Sequence, residues 1–236
     1  MLDMVGSVIG MTGIAINIVA MASVLPLTLP QRLTLAAGSG AWVGLATGLA
    51  ASGALTYSPE QPVPLVGVLF ATPFFAAAIF WVVARDFREA LLAIPTPLSI
   101  GLNALRVFGV IFLVLAANGR LSGPFPYSAG LGDVITGATA IPVAFLASRA
   151  SQRGHSWIAA WNAFGALDLF LAVGLGLASA EGSPLQLLHV GVGSEAMQHL
   201  PFALVPTVLV PFFLITHGVV AAQLLARRRT AAAAHA

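Results

Sequence analysis

Five polar residues stand where hydrocarbon is expected to surround them. Arg106, Asp133, Asp168 and His217 lie well inside four long apolar stretches, and Asn162 shares a stretch with Asp168. A charged side chain in mid-membrane costs at least ~2.5 kcal/mol on insertion scales, so such groups face a bundle interior, a partner or a water-filled cavity. Arginine supplies only donors, carboxylates accept and can carry protons, and histidine does either. Together they can hold an anion, relay protons or lock helices through ion pairs.

Composition indicates what kind of fold holds these residues. Hydrophobic residues make up 58% of the 236, charged residues 8%, and mean hydropathy is +0.96. A soluble domain of that length needs far more polar surface, so the chain reads as an all-α polytopic membrane protein. Cysteine is absent, which removes disulfides, thiolate metal sites and cysteine nucleophiles. Lysine is absent as well, which excludes a retinal Schiff base and a Walker-type phosphate loop. The net charge of +2 comes from scattered arginines, so nucleic acid is not expected as a partner.

Seven stretches are long enough to span a bilayer, at roughly 4–29, 33–57, 62–84, 98–117, 128–148, 156–180 and 201–226, with a cytoplasmic tail over 227–236. They form one transmembrane domain, 1–226. Arg32, Arg85, Arg88, Arg149, Arg153 and Arg227 to Arg229 fall on one side of the alternation and Arg120 on the other. The positive-inside rule then puts the N-terminus outside and the C-terminus inside. Asp3, Glu60, Glu181 and Glu195 fall on the outer side. The start Met1-Leu2-Asp3 lacks the basic region of a cleavable signal, so the first span is expected to be retained. Counting ~1.5 Å per residue from the inner ends sets His217 and Asn17 in the inner third, Arg106 slightly deeper, Asp168 near the middle and Asp133 towards the outside. That spread predicts a polar ladder across the membrane, with Arg106 paired to Asp133 or Asp168.

Connectors and small residues add detail. Residues 86–97 begin charged and end at two prolines, the pattern of a short interfacial helix before the fourth span. The loop from Glu181 to Leu200 is too polar to span and apolar enough to lie on or dip into the outer membrane face, where it could form a lid. Gly40, Gly44 and Gly48 recur every four residues, with Gly6 and Gly10 as a shorter version, which predicts close helix packing within the bundle or a homodimer seam. Gly130, Asp133, Gly137 and Ala140 share a face that should point Asp133 at a neighbouring helix. Pro206 and Pro211 free the carbonyls of Phe202 and Thr207, which then need another donor.

Gly130-Leu131-Gly132-Asp133 resembles the GxGD element of intramembrane aspartyl proteases. That resemblance implies two aspartates on adjacent helices sharing one proton, and here Asp168 could supply the second carboxylate only from the following helix and at a different depth. This chain lacks the family's first aspartate on the preceding span, where Asn103 and Arg106 stand. Pro30-Gln31 resembles the start of a PQ-loop sugar transporter, without a second Pro-Gln in the fifth span. More broadly, RVFGVIFLVLAANGRLSGPFPYSAGLGDVITG, WNAFGALDLFLAVGLG and PFALVPTVLVPFFLITH resemble a group of uncharacterised bacterial seven-span membrane proteins. The resemblance covers the C-terminal two thirds. It implies architecture, and polar positions at Arg106, Asp133, Asn162, Asp168 and His217.

His189, Glu195 and His199 lack helical metal-ligand spacing, and only the seventh span offers a histidine for haem, so no metal and no cofactor are expected. The reading is an inner-membrane protein, with the lipid bilayer as its surroundings, that binds or passes a small-molecule solute or protons. Arg106 would hold an anion or an aspartate, Asp133 and Asp168 would accept protons, and Asn162 and His217 would line the route. No catalytic residue is assigned. The rival readings are a hydrolase using Asp133 with Asp168, and a structural protein whose buried charges fix helix packing.

Overall fold

In hydrocarbon the backbone has no water to bond, so long apolar runs close their hydrogen bonds internally as helices. The computed structural model describes residues 1–58, 63–149 and 152–233. The helices are α1 (Leu2–Val24), α2 (Leu29–Ala51), α3 (Leu65–Val83), α4 (Arg85–Leu92), α5 (Thr96–Leu102), α6 (Val110–Ala117), α7 (Phe125–Ser148), α8 (Gln152–Ser179) and α9 (Val210–Ala233). A 3-10 segment, Asn103–Gly109, joins α5 to α6, and a π-turn, Val205–Leu209, leads into α9. No strand occurs among the described residues. Seven helices or composite helices are long and apolar enough to cross a membrane.

The later spans hold the core. The first three bury 11–17% of their apolar windows, against 33–56% for the last four. At the centre α7 packs against α5, the 3-10 segment, α6 and α8, while α9 closes the bundle against α3, α5 and α8. Two ends can be told apart. Arg32 donates to the carbonyls of Leu25 and Leu27, and Leu25 shares a core cluster with Leu91 and Ile94 around α4. At the other end Arg120 pairs with Asp3 and lies over the Phe202 ring. There Glu181 and Glu195 line an open cleft of about 500 Å3 beside Tyr57. Glu60 lies outside the described residues.

Several expected boundaries move. The fourth span is not one straight helix, because it tightens to 3-10 geometry at Asn103–Gly109. In that geometry residues i and i+3 eclipse, so Asn103, Arg106 and Gly109 stack on one face, and these are the segment's buried residues. The first span ends at Val24, the second starts at Leu29, and α9 continues to Ala233 where a tail from 227 was expected. Pro30-Gln31 begins a helix, since the Gln31 side-chain oxygen accepts from the Thr28 N–H at 2.9 Å and proline suits the first turn. The 86–97 segment forms α4, and its prolines open α5.

The glycine stripe of α2 does not pack inside the bundle. A Cβ at Gly40, Gly44 or Gly48 would meet nothing within 4 Å. The reason is rotational: α2 turns Ala46 and Ala50 inward, and the half-buried Trp42 lies one turn before them on that face. The glycines therefore point away. Gly6 does make a close approach, to Phe202 and Pro201. Trp42 also answers the proline question, because its indole N–H donates to the freed Thr207 carbonyl at 2.9 Å. The Phe202 carbonyl accepts from the Val205 N–H.

The 181–200 loop folds back on the end of α8. The N–H groups of Leu187 and Leu188 bond the Ala178 carbonyl, and the Ser194 hydroxyl bonds that of Gly176. Gln198 is buried and accepts from the Tyr57 N–H. This is a packed cap with internal hydrogen bonds.

Candidate functional site

Arg106 is the centre of one compact node. It is only 2% exposed, and the 3-10 stacking aims it between α7, α8 and α9. Its Nε donates to Asp133 Oδ1 at 2.7 Å and its Nη2 to Asp168 Oδ2 at 2.6 Å. Nη1 donates to the Gly165 carbonyl at 3.0 Å and meets His217 Nε2 at 3.1 Å. Four contacts thus occupy the guanidinium, from three different helices. His217 Nδ1 lies 2.9 Å from Asn162 Oδ1, and Asn162 Nδ2 donates to the His217 carbonyl at 3.0 Å.

Hydrogen-bond roles fix the histidine tautomer. Arginine only donates, so His217 Nε2 must accept and carries no proton. Nδ1 then holds the proton and donates to Asn162 Oδ1, which leaves the asparagine amide to donate to a carbonyl that can only accept. Every role is satisfied with a neutral imidazole. Trp161 packs beside it at 5.4 Å between ring centroids and donates its indole N–H to Thr139.

The five expected site residues converge, and the ladder does not form. Depth counting placed Asp133 and His217 far apart, yet both contact one guanidinium. The count assumed α-helical rise throughout, whereas the 3-10 segment climbs about 2.0 Å per residue and arginine adds its own reach. Helix α7 also begins at Phe125, before the expected 128, which sets Asp133 deeper. Asn17 is 2% exposed with neither amide atom partnered, and is not among the node's hydrogen-bond partners.

Glycines, unremarked in the sequence except within GxGD and the α7 face, make room for the node. A Cβ on Gly132 would collide with the Asp168 carboxylate, one on Gly109 with Asp133, and one on Gly165 with the His217 ring. Gly137 admits the Arg106–Val107 backbone, and Gly130 admits Leu113. The GxGD glycines here are packing devices. The only advance signal was a glycine beside, or one turn from, each ionisable residue.

Charge and space define what the node can do. One guanidinium faces two carboxylates and a neutral histidine, a formal net charge of −1 until a proton or cation joins it. Two carboxylates share a guanidinium instead of the single proton that an aspartyl hydrolase needs between them. Asp133 retains 14% side-chain exposure and lines two cavities, of about 60 and 50 Å3. Arg106 also lines the larger, whose far wall includes Gly6 and Phe202. A water needs on the order of 10–15 Å3, so each cavity has room for water, and the polar atoms that could hold it are few, chiefly the Asp133 carboxylate, in walls that are otherwise mostly apolar. Tyr57 borders the smaller one, and burial pushes its phenol well above its ordinary value. Among the described residues, no three histidine or acidic side chains cluster as metal ligands do.

A family model described as a domain of unknown function, DUF8737, matches residues 63–225. The chain belongs to this family. The DUF8737 match begins just before α3 and contains every node residue, while α1 and α2 lie outside it. No curated protein and no solved structure matches the chain significantly.

Proposed function

We propose that this DUF8737 protein is a multi-pass membrane protein that binds and passes protons, alone or with a small solute, through the Arg106 node. The observation that carries the reading is the charge imbalance: Asp133 and Asp168 face one arginine, and Asp133 borders space for water. In hydrocarbon an uncompensated carboxylate draws a proton or a cation, which is what an exchange site requires. Arg106 holds both acids in place, and Asp133 is the exchanging group. Asn162 orients His217 so that its bare nitrogen faces the arginine. In this reading the protein sits in a bacterial inner membrane with the arginine-rich end cytoplasmic and the N-terminus outside. The open glycine face of α2 goes to a second copy of the chain, which its four-residue repeat suits.

The test is proton flux in proteoliposomes under an imposed pH gradient, with a panel of small solutes on one side. Wild type should dissipate the gradient faster than empty liposomes, and Asp133→Asn should not. Equal rates for wild type and empty liposomes under every condition would overturn the reading. A structural clamp is the second reading, supported by the near-complete burial of Arg106 and its four contacts. It predicts that Asp133→Asn leaves any flux unchanged.

A further inference from the structure

Beyond the node, a line of polar side chains runs along the facing surfaces of α5 and α9 towards Arg227. Thr96, Ser99 and Asn103 precede Arg106 at helical spacing, and each is at most 4% exposed. Across from them stand Thr216, His217, Gln223 and Arg227. The two rows are stitched together: Asn103 Nδ2 donates to Thr216 Oγ1 at 3.3 Å, and Thr96 Oγ1 donates to Gln223 Oε1 at 2.7 Å. Arg227 reaches Thr96 Oγ1 at 3.4 Å, where the line ends. Ten residues separate Thr96 from Arg106, roughly 15–17 Å of α and 3-10 rise.

Such a row is expensive in a membrane core unless its polar atoms are bonded. Several are not bonded within the protein. Ser99 Oγ and Asn103 Oδ1 are fully enclosed and have no protein partner, and so is Thr136 Oγ1, whose methyl group faces Gly165 beside the His217 ring. Ser99 and Asn103 stand between Thr96 and Arg106 along the fourth span, and Thr136 stands beside the node. Buried polar atoms left over by protein bonding are where ordered water is found. The same helices also carry apolar packing, with Ile100 and Val220 in one cluster and Ile94 and Val219 in another.

We infer that Thr136, Asn103, Ser99 and Thr96, facing Thr216 and Gln223, form a water-bearing access route that carries protons between the Arg106 node and the Arg227 end. The inference rests on the proton-binding reading of the node and adds its entrance. Ser99 and Asn103 are positioning residues that hold water. Towards the opposite end the 60 Å3 cavity beside Asp133 reaches Phe202, over which Arg120 lies.

The native chain contains no cysteine, so a single introduced thiol is unique. The probe is silver ion in chloride-free buffer, a water-sized thiophile, added to sealed vesicles from one face at a time. Thiols left unreacted are counted by alkylation after denaturation. Ser99→Cys and Asn103→Cys should react from the Arg227 face at least an order of magnitude faster than Ile100→Cys, the dry neighbour. Ser99→Cys reacting as slowly as Ile100→Cys overturns the route, and so does faster reaction from the Arg120 face. Ser99→Cys exchanges only oxygen for sulfur, so it decides the matter if Asn103→Cys fails to fold. Accessibility is read without proton flux, so a protected Ser99→Cys with normal Asp133-dependent flux sinks the route alone. A reactive Ser99→Cys without flux sinks the node reading alone.

Discussion

Gly132 of α7 lies against the carboxylate of Asp168 on α8 with no room for even a methyl group between them. The acid therefore comes within 2.6 Å of Arg106 only because its neighbour in the chain beside it has no side chain. A motif that looks chemical in sequence is steric in this fold.

Gly132→Ala should consequently destabilise the protein by overpacking, about 1–3 kcal/mol, unless the Asp168 carboxyl moves off Arg106. Melting in detergent, compared with Gly10→Ala, measures this, since a Cβ on Gly10 meets nothing within 4 Å. The Gly10 variant should melt with wild type. If Gly132→Ala also does, the carboxylate does not sit where the node requires it.

The His217 tautomer is directly observable. Nitrogen NMR of histidine-labelled protein at neutral pH should show one ring with a proton on Nδ1 and a bare Nε2. A doubly protonated ring, or the opposite tautomer, contradicts the arrangement with Arg106 and Asn162. Asn162→Ala should weaken the protein by about 1–3 kcal/mol, the usual cost of an unsatisfied buried donor.

How much of this could be read from sequence depends on the kind of signal. The seven apolar stretches and the arginine asymmetry are additive properties of composition, so the helices were legible to within a few residues at most ends. The polar residues announced themselves by their cost in hydrocarbon, and the small-residue face of Gly130, Asp133 and Gly137 pointed towards a neighbour as expected. What failed was geometry along the axis. Nothing local in NALRVFG marks a 3-10 segment, and depth counted with one uniform rise spread out residues that meet. The α2 glycines do not pack within the bundle, and the reason is rotational, since a stripe of small residues does not say which face turns inward. Trp42 as donor to Thr207 was half legible: proline predicted the vacant acceptor, and only tertiary packing could supply the partner.

Orientation follows from arginine placement and has its own test. With the protein expressed in a bacterial inner membrane, a reporter fused after Ala236 should read cytoplasmic, and one inserted beside Glu181 should read external. The seven-span path puts the end of α9 and Glu181 at opposite ends of the bundle, so agreement of both reporters on one side contradicts it. Reversal of both keeps the path and inverts the protein, which would then violate the charge rule at Arg32, Arg85, Arg88, Arg149 and Arg227.

The node's charge balance makes an asymmetric prediction about substitutions. Arg106→Ala leaves two buried carboxylates without a cation and should cost about 3–5 kcal/mol, the usual result of breaking a buried pair from one side. Asp168→Asn removes one negative charge from a net of −1 and leaves Arg106 paired with Asp133, so its cost should be much smaller. Combining the two should recover part of the loss, because only Asp133 then needs a proton. A thermal-melting cycle over wild type, both single variants and the double variant reads the coupling directly. If Arg106→Ala is no worse than Asp168→Asn, the guanidinium is not holding both acids. If the effects merely add, within about 0.5 kcal/mol, the 2.6 Å contact between Arg106 and Asp168 carries no electrostatic coupling, and the node does not hold Asp168 by charge.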